Sequence, residues 1–393
     1  MRRVSGFVAA LAVVLVSVNL RPGAASVGPV LAEVSDGLGM SPGVAGVVTG
    51  LPGLCFGLGG AVAVTLARRV GTTAGIAIGM LVATVGLVLR ATATSTTLFL
   101  VLTTVALAGM ALGNVLVPAW IKAHSTRSVL LPTLYTVGLT GGSALAAALT
   151  APVAEAAGGW RAGIGLWGGT MGLALPLWVW LAVREGRVPP PERGAGGAPR
   201  RIASSPTALA MAALFGVQSM QAYVQYGWLP QIYRDAGVAP STAGVLLALL
   251  SAIGIAGALL MPTVIARSRT LSPWMLGFGI MMALGYVGLL LAPATLPWLW
   301  ALLLGLAGWA FPTSIALLTA RTRTSAVTAR LSGFVQPVGY ALAAIGPLLV
   351  GLLHDATGDW DLVLVLLALT AVPFTWAGLR AARRVWVDDE LAA

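Results

Sequence analysis

Charge is what this sequence has least of. Asp, Glu, Lys and Arg together make up 9% of its 393 residues, against roughly 25% in a soluble domain. A soluble globule of this length could not cover its surface with so few charges, so an ordinary cytosolic enzyme, a disordered chain and a nucleic-acid-binding domain are excluded. Cysteine is nearly absent: Cys55 is the single one, so an intrachain disulfide and a cysteine metal cluster are impossible. The two histidines, His124 and His354, lie far apart, and zinc-ligand spacing is missing. No Gly-x-x-x-x-Gly-Lys-Ser/Thr phosphate loop occurs, so neither ATP drive nor any other cofactor is expected. No Ser/His/Asp or paired-carboxylate set lies in the apolar runs, and this argues against an enzyme. The net charge of +11 sits in short turns and calls for no nucleic acid.

What is there is apolar, at 58% of residues. A membrane-crossing helix needs about 20 predominantly apolar residues. Runs free of Asp, Glu, Lys and Arg cover 4–20, 37–67, 70–89, 91–121, 128–154, 162–183, 202–233, 236–266, 270–320, 331–354 and 362–379. The 51-residue run 270–320 is divided at Leu291–Pro297, whose two prolines break it into two spans. The first run resumes after Arg21, which makes 6–31 one span with a charge inside it. The spacing thus predicts twelve spans in an all-α polytopic membrane protein. The runs are continuous, unlike the alternation of a β-barrel. Two arginines before an apolar stretch would also suit a signal peptide, but no small-residue cleavage site precedes Arg21.

Lys and Arg in short loops set orientation. With both termini cytoplasmic, 19 fall inside and three outside, namely Arg90, Arg161 and Arg234, with Arg21 left within a span. That split sets both termini on the cytoplasmic side. The expected setting is a bacterial plasma membrane, with the lipid bilayer and a small-molecule substrate as partners and a monomeric state.

Residues 184–206, REGRVPPPERGAGGAPRRIASSP, lack an apolar period and are rich in Pro, Gly and Arg. They are expected to be a flexible linker between a six-helix bundle over 1–183 and a second over 207–393. The halves repeat: Gly39, Pro42, Ala45, Gly46 and Val47 match Gly237, Pro240, Ala243, Gly244 and Val245, all 198 residues apart. Trp160 matches Trp360 at an offset of 200. Two six-helix halves of the same membrane topology are the plan of a transporter that rocks around a central site.

The plan resembles the major facilitator superfamily. That family's loop after the second helix reads Gly-x-x-x-Asp-Arg-x-Gly-Arg-Arg. Here Arg69 and Gly71 match, whereas Val64, Arg68, Thr72 and Thr73 depart from it, so the usual charge gate at that loop is not carried over. A narrower resemblance, to the cyanate/2-nitroimidazole transporter family (CynX/NimT), is carried by Asn19–Pro29 (NLRPGAASVGP), Gly113–Lys122 (GNVLVPAWIK) and Gly159–Arg161. Gly216–Gly237 (GVQSMQAYVQYGWLPQIYRDAG) and Leu331–Asp355 (LSGFVQPVGYALAAIGPLLVGLLHD) carry it further. The resemblance implies a transporter of cyanate-like anions or nitroimidazole-like heterocycles.

The candidate site begins at Arg21. A charge at the bilayer centre costs about 2.5–3.5 kcal/mol on insertion scales and faces protein or a wet cavity. Pro22 removes the partner of the Val18 carbonyl, so a kink is expected beside the cation, and a guanidinium there suits an anion. The seven amides lie in or beside spans 1, 4, 7 and 11. Gln218, Gln221, Gln225 and Trp228 share one helix face and are expected to line a cavity. Ser332, Gln336 and Tyr340 share another. Asn19, Asn114, Gln218, Gln221, Gln225 and Gln336 are candidate hydrogen-bonding ligands. Asn19 stands about 200° from Arg21 on an unbroken helix, so it either joins the site through the kink or braces a neighbouring helix. Tyr135, Tyr223, Tyr226 and Trp309 lie within spans and could stack on a flat solute, with Tyr135, Trp309 and Tyr340 the aromatic candidates retained. Gly138-x-x-Gly141-Gly142-Ser143 reads as a helix-packing surface. No Asp or Glu lies deep in a span: Glu33 is twelve residues beyond Arg21, about 18 Å along a helix. That favours facilitated diffusion, exchange, or coupling through the substrate's own proton. The expected function is a secondary or facilitative transporter of a small polar, anionic or planar solute, with a multidrug or heterocycle exporter as the alternative. A transport-dead sensor would need a signalling domain, and no loop exceeds about 25 residues.

Overall fold

The computed structural model describes residues 5–124, 130–186 and 199–392. Most of the linker, at 187–198, lies outside them. Among the described residues every regular element is a helix.

In the first half these are α1 (Gly6–Asn19), α2 (Pro22–Ala25), α3 (Leu31–Leu38), α4 (Pro42–Val70), α5 (Thr72–Ala91), α6 (Thr96–His124), α7 (Leu130–Ala156) and α8 (Trp160–Glu185). In the second they are α9 (Pro206–Asp235), α10 (Pro240–Arg267), α11 (Ser272–Leu291), α12 (Pro297–Ala307), α13 (Ala310–Ala320), α14 (Ser325–Thr357), α15 (Asp361–Leu369), α16 (Ala371–Ala382) and α17 (Val387–Ala392). Taking α1–α3, α12–α13 and α15–α16 as interrupted single spans gives six spans in each half. Eleven are long and apolar enough to cross a membrane. The twelfth, α9, is 30 residues long, and its amides lower its hydropathy.

The division of the run 270–320 falls where the prolines put it, with α11 ending at Leu291 and α12 starting at Pro297. The repeat is visible in the backbone. Gly39 has φ +63° and Gly237 φ +90°, values that suit glycine. Pro42 and Pro240 then open α4 and α10, as proline does at a first helical turn.

The first span, expected over 6–31, runs from Gly6 to Leu38, and it breaks beside Arg21 where the kink is expected. Pro22 has no N–H to give, so α1 stops at Asn19, and the Leu20 N–H falls back to Ser17 O at 3.3 Å. The chain re-forms as the four residues of α2, then a 3₁₀ turn at Gly28–Val30, then α3. The Val18 carbonyl lies against Gly142 of α7, where a Cβ would collide with it. Gly138 likewise admits Ser17, while Gly141 faces open space. The glycine motif therefore packs α7 onto α1, as its small residues imply.

Arg90 is a departure. Expected in an external loop, it is fully buried at the end of α5. Its Nη1 donates to Gly23 O at 2.8 Å and its Nη2 to Ser26 Oγ at 3.0 Å. Spans 10 and 12 are also interrupted, at Gly308–Trp309 and at Thr370.

The halves meet at one end only of the named approaches. Gly46, Gly50 and Gly53 of α4 lie against the backbone of α14 near Leu348 and Ala344, and Gly244 of α10 lies against Ala147 O of α7. These contacts run from the loop end of α3 to about the level of Tyr340, whose Cβ approaches Gly57. Towards the end that holds the linker, Asn114, Tyr135, Ser332 and Gln336 stay half-buried. The close approaches thus lie away from the linker, and these half-buried groups lie towards it.

Candidate functional site

Arg21 sits at the head of α2 with no bond from its side chain to that helix. The break turns its half-buried guanidinium into the gap between the halves. The guanidinium carbon lies 5.4 Å from the Phe56 ring centroid on α4, within cation–π range. Tyr223, Tyr340, Tyr226 and Tyr135 are its electrostatic neighbours. Four of the chain's six tyrosines therefore surround one cation, drawn from α7, α9 and α14. Among the described residues no Asp or Glu is one of these neighbours.

Further groups stand around this centre. The Tyr135 hydroxyl donates to Asn114 O on α6 at 3.3 Å. The Asn114 side-chain nitrogen is buried without a partner among the described residues. Tyr340 packs edge-on against Phe215 at 5.1 Å between centroids. Gln336 donates to Ser332 Oγ at 2.9 Å, one turn away on α14. Above Arg21, on the closed side, Gly23, Thr49, Thr103, Tyr223, Tyr226 and their neighbours line a cavity of about 10 Å³, room for one water.

Three members of the α9 stripe are held by partners within the second half. Gln221 is fully buried and donates to Thr370 Oγ1 at the break between α15 and α16, and it accepts from the Tyr286 hydroxyl of α11. Gln225 donates to the same hydroxyl at 3.1 Å, and Trp228 donates to Pro347 O at 3.1 Å. Gln218 is buried as well, with its side-chain oxygen unpartnered among the described residues. The four residues share a face, as expected, but that face looks into the second half. Tyr223 lies about 200° around from both Gln221 and Gln225, and Tyr226 about 140° and 100° from them, and it is these two tyrosines that meet Arg21.

Asn19 behaves in the same way. It accepts from Thr170 Oγ1 of α8 at 2.8 Å and donates to Leu15 O at 2.9 Å, so it braces a neighbouring helix. Trp309 donates to Ile253 O of α10 at 2.9 Å. The amides do lie outside spans 3, 6, 9 and 12, yet they bond to three of these four: Thr170, Tyr286 and Thr370 are their partners. Among the described residues no group of His, Cys, Asp and Glu is placed to hold a metal ion.

The closed end carries a feature that the charge count had placed only in loops. Arg234, at the end of α9, meets Glu33 of α3 through two contacts, Nη1–Oε2 at 2.8 Å and Nη2–Oε1 at 2.7 Å. Its Nη1 also reaches Pro29 O at 3.4 Å. Below the pair, Gly28 lies on the backbone of Tyr226, and Gly227 lies on the side chain of Thr49. The ion pair and these close approaches join the two halves.

Comparison with known proteins places this geometry. The family model described as Major Facilitator Superfamily matches residues 7–347. An uncharacterised transporter, YycB, of Bacillus subtilis is 30% identical over 97% of this chain and 95% of its own. The cyanate transport protein CynX of Escherichia coli is 28% identical over 96% of this chain and 99% of its own. The 2-nitroimidazole transporter of Escherichia coli is 30% identical over 94% of each. Among solved structures, a bacterial homologue of the human lysosomal transporter Spinster, inward-facing and unoccupied, matches with a TM-score of 0.77 at 17% identity, over 98% of both chains. Twelve spans in two halves, a cation at a broken first helix and these matches agree: the chain is a transporter of the Major Facilitator Superfamily, in the branch that includes the cyanate and 2-nitroimidazole transporters.

Proposed function

We propose that this transporter carries a small planar anion by alternating access, with Arg21 as the anchor. The observation that carries the reading is a guanidinium with no carboxylate among its neighbours, held at a helix break inside a ring of four tyrosines. A buried cation seeks a counter-charge, and here the arriving solute supplies it. The tyrosine rings offer flat surfaces and the hydroxyls donate hydrogen bonds, which suits a planar, electron-rich solute. Asn114, Tyr135, Gln336 and Tyr340 stand on the open side and complete the ligand set. Asn19, Gln221, Gln225 and Trp309 are assigned to bracing the halves, each through a bond to a neighbouring helix, while Gln218 stays a candidate ligand with its oxygen unpartnered among the described residues.

The names of the relatives point the same way, since cyanate is a small anion and 2-nitroimidazole a planar heterocycle. The arginine-rich linker side is taken as cytoplasmic, so the gap opens inward and the Glu33–Arg234 end faces out. The linker 184–206 is proposed to let the two bundles rock. No deep carboxylate is available to carry a proton, so the solute itself balances the charge of Arg21 in each half-cycle.

Purified wild type and Arg21→Gln, reconstituted in liposomes, test this with cyanate, 4-hydroxybenzoate and 2-nitroimidazole. A hydrogen bond to a charged group is worth about 1.5–3 kcal/mol, so affinity for an anion should fall roughly 10–100-fold with stability retained. An exporter of neutral heterocycles is the second reading, favoured by the aromatic ring itself. It would show uptake of 2-nitroimidazole that survives Arg21→Gln.

A further inference from the structure

We infer that Arg90 is a positioning residue that aims Arg21 into the gap, a role that rests on reading Arg21 as the anion site. Arg90 is fully buried and is not among the groups around Arg21, so it acts through what it holds. What it holds is α2.

That segment cannot orient itself. It is four residues long and starts at Pro22, with the end of α1 before it and a 3₁₀ turn after it. Its own bonds run from Ala24 and Ala25 N–H to Arg21 O and from Ser26 N–H to Pro22 O. A piece this short is not stable as an isolated helix. Arg90 grips it at two points three residues apart, the Gly23 carbonyl and the Ser26 hydroxyl, which lie on one face of a helical turn. Two anchors on one planar fork fix the rotation of α2 about its axis as well as its place. Arg21 immediately precedes α2, so that rotation sets where its side chain points. A buried charge near the bilayer is costly, and Arg90 leaves its Nε unpartnered among the described residues. Fixing α2 gives that cost a purpose.

The test needs no transported solute. In a Cys55→Ala background, Arg21→Cys reports the direction of residue 21 through its labelling rate by a thiol-reactive sulfonate, MTSES. Arg21 makes no capping bond, so this change leaves α2 in place. Gln336→Cys, on α14 and away from Arg90, is the control. Losing a buried bond pair worth about one to two decades in equilibrium, Arg90→Gln should slow labelling at 21 by about tenfold and leave 336 unchanged. Ser26→Ala removes one bond without uncovering a charge and should slow it by about threefold, which keeps the test decisive if Arg90→Gln does not fold. Arg90→Lys should recover part of the rate, since it keeps the charge without the fork. Unchanged labelling at 21 in folded Ser26→Ala and Arg90→Gln would overturn the inference, as would equal slowing at 21 and 336. A failure of the transport test on Arg21→Gln leaves these labelling outcomes unaffected.

Discussion

Arg234 and Glu33 lie 201 positions apart in the sequence and meet side by side, two nitrogens on two oxygens, across the seam between the halves. Glu33 stands in α3 and Arg234 in the last turn of α9, each towards the closed end of the first span of its own half. Opening that end requires the pair to separate. Their side chains are 17% and 39% exposed, so the pair lies between a surface bridge at about 0–1 kcal/mol and a buried one. An intermediate value of about 1–2 kcal/mol is a roughly 5–30-fold bias toward the closed end. Glu33→Gln should raise MTSES labelling of Thr49→Cys, beneath the pair in a Cys55→Ala background, by about tenfold. Exchanging the two charges, Glu33→Arg with Arg234→Glu, should restore slow labelling. Equal rates in all three proteins would show that the close backbone approaches at Gly28 and Gly227 alone seal this end.

Removing single hydroxyls from the tyrosine ring tests whether those groups contact the solute. Tyr223→Phe and Tyr340→Phe keep the rings and lose only the polar tip. Each should weaken binding of an anionic solute by about 0.5–1.5 kcal/mol, a several-fold rise in KM, with little change in thermal stability. Loss of stability without a change in KM would assign these hydroxyls to packing.

The amides of α9 should behave in the opposite manner. Gln221→Leu leaves the Tyr286 hydroxyl and Thr370 without their shared partner. An unsatisfied buried polar group costs about 1–3 kcal/mol, so the melting temperature should fall while the KM of the remaining folded protein stays near wild type. A selective rise in KM at unchanged stability would return Gln221 to the binding site.

Glu390 ties α17 to the start of α9. Its carboxylate accepts from Ser205, from the Thr207 N–H at 3.0 Å and from the Thr207 hydroxyl at 2.8 Å, and it pairs with Arg380 at 3.2 Å. Burial alone would raise this carboxyl, but the hydrogen bonds and the Arg380 charge outweigh it and hold it below its ordinary value. A lowered folded-state value contributes stability that is present above the unfolded value and is lost as pH falls through the folded one. Limited proteolysis of the C-terminal segment should therefore be slow at neutral pH and accelerate in acid. Glu390→Gln should be cleaved faster at neutral pH and lose most of that pH dependence.

The division into twelve spans and two related halves was determined by the sequence alone, because bilayer thickness demands long apolar runs and prolines end them at fixed points. Pro22 also marked the break beside Arg21, and the missing deep carboxylates set the charge problem that a solute must answer. Helical periodicity correctly placed Gln218, Gln221, Gln225 and Trp228 on one face. It could not say which neighbour that face meets. Only the packing of α9 against α11, α14 and the α15–α16 break decided that the amides brace the second half and that Tyr223 and Tyr226 turn to the cation. Arg90 looked like a loop charge because it stands at the end of an apolar run. Its burial depends on a carbonyl 67 positions away and a hydroxyl 64 positions away, both in the segment where Pro22 breaks the first helix. The Glu33–Arg234 pair depends likewise on the two halves closing at that end, a relation between distant spans that no local pattern in the chain encodes.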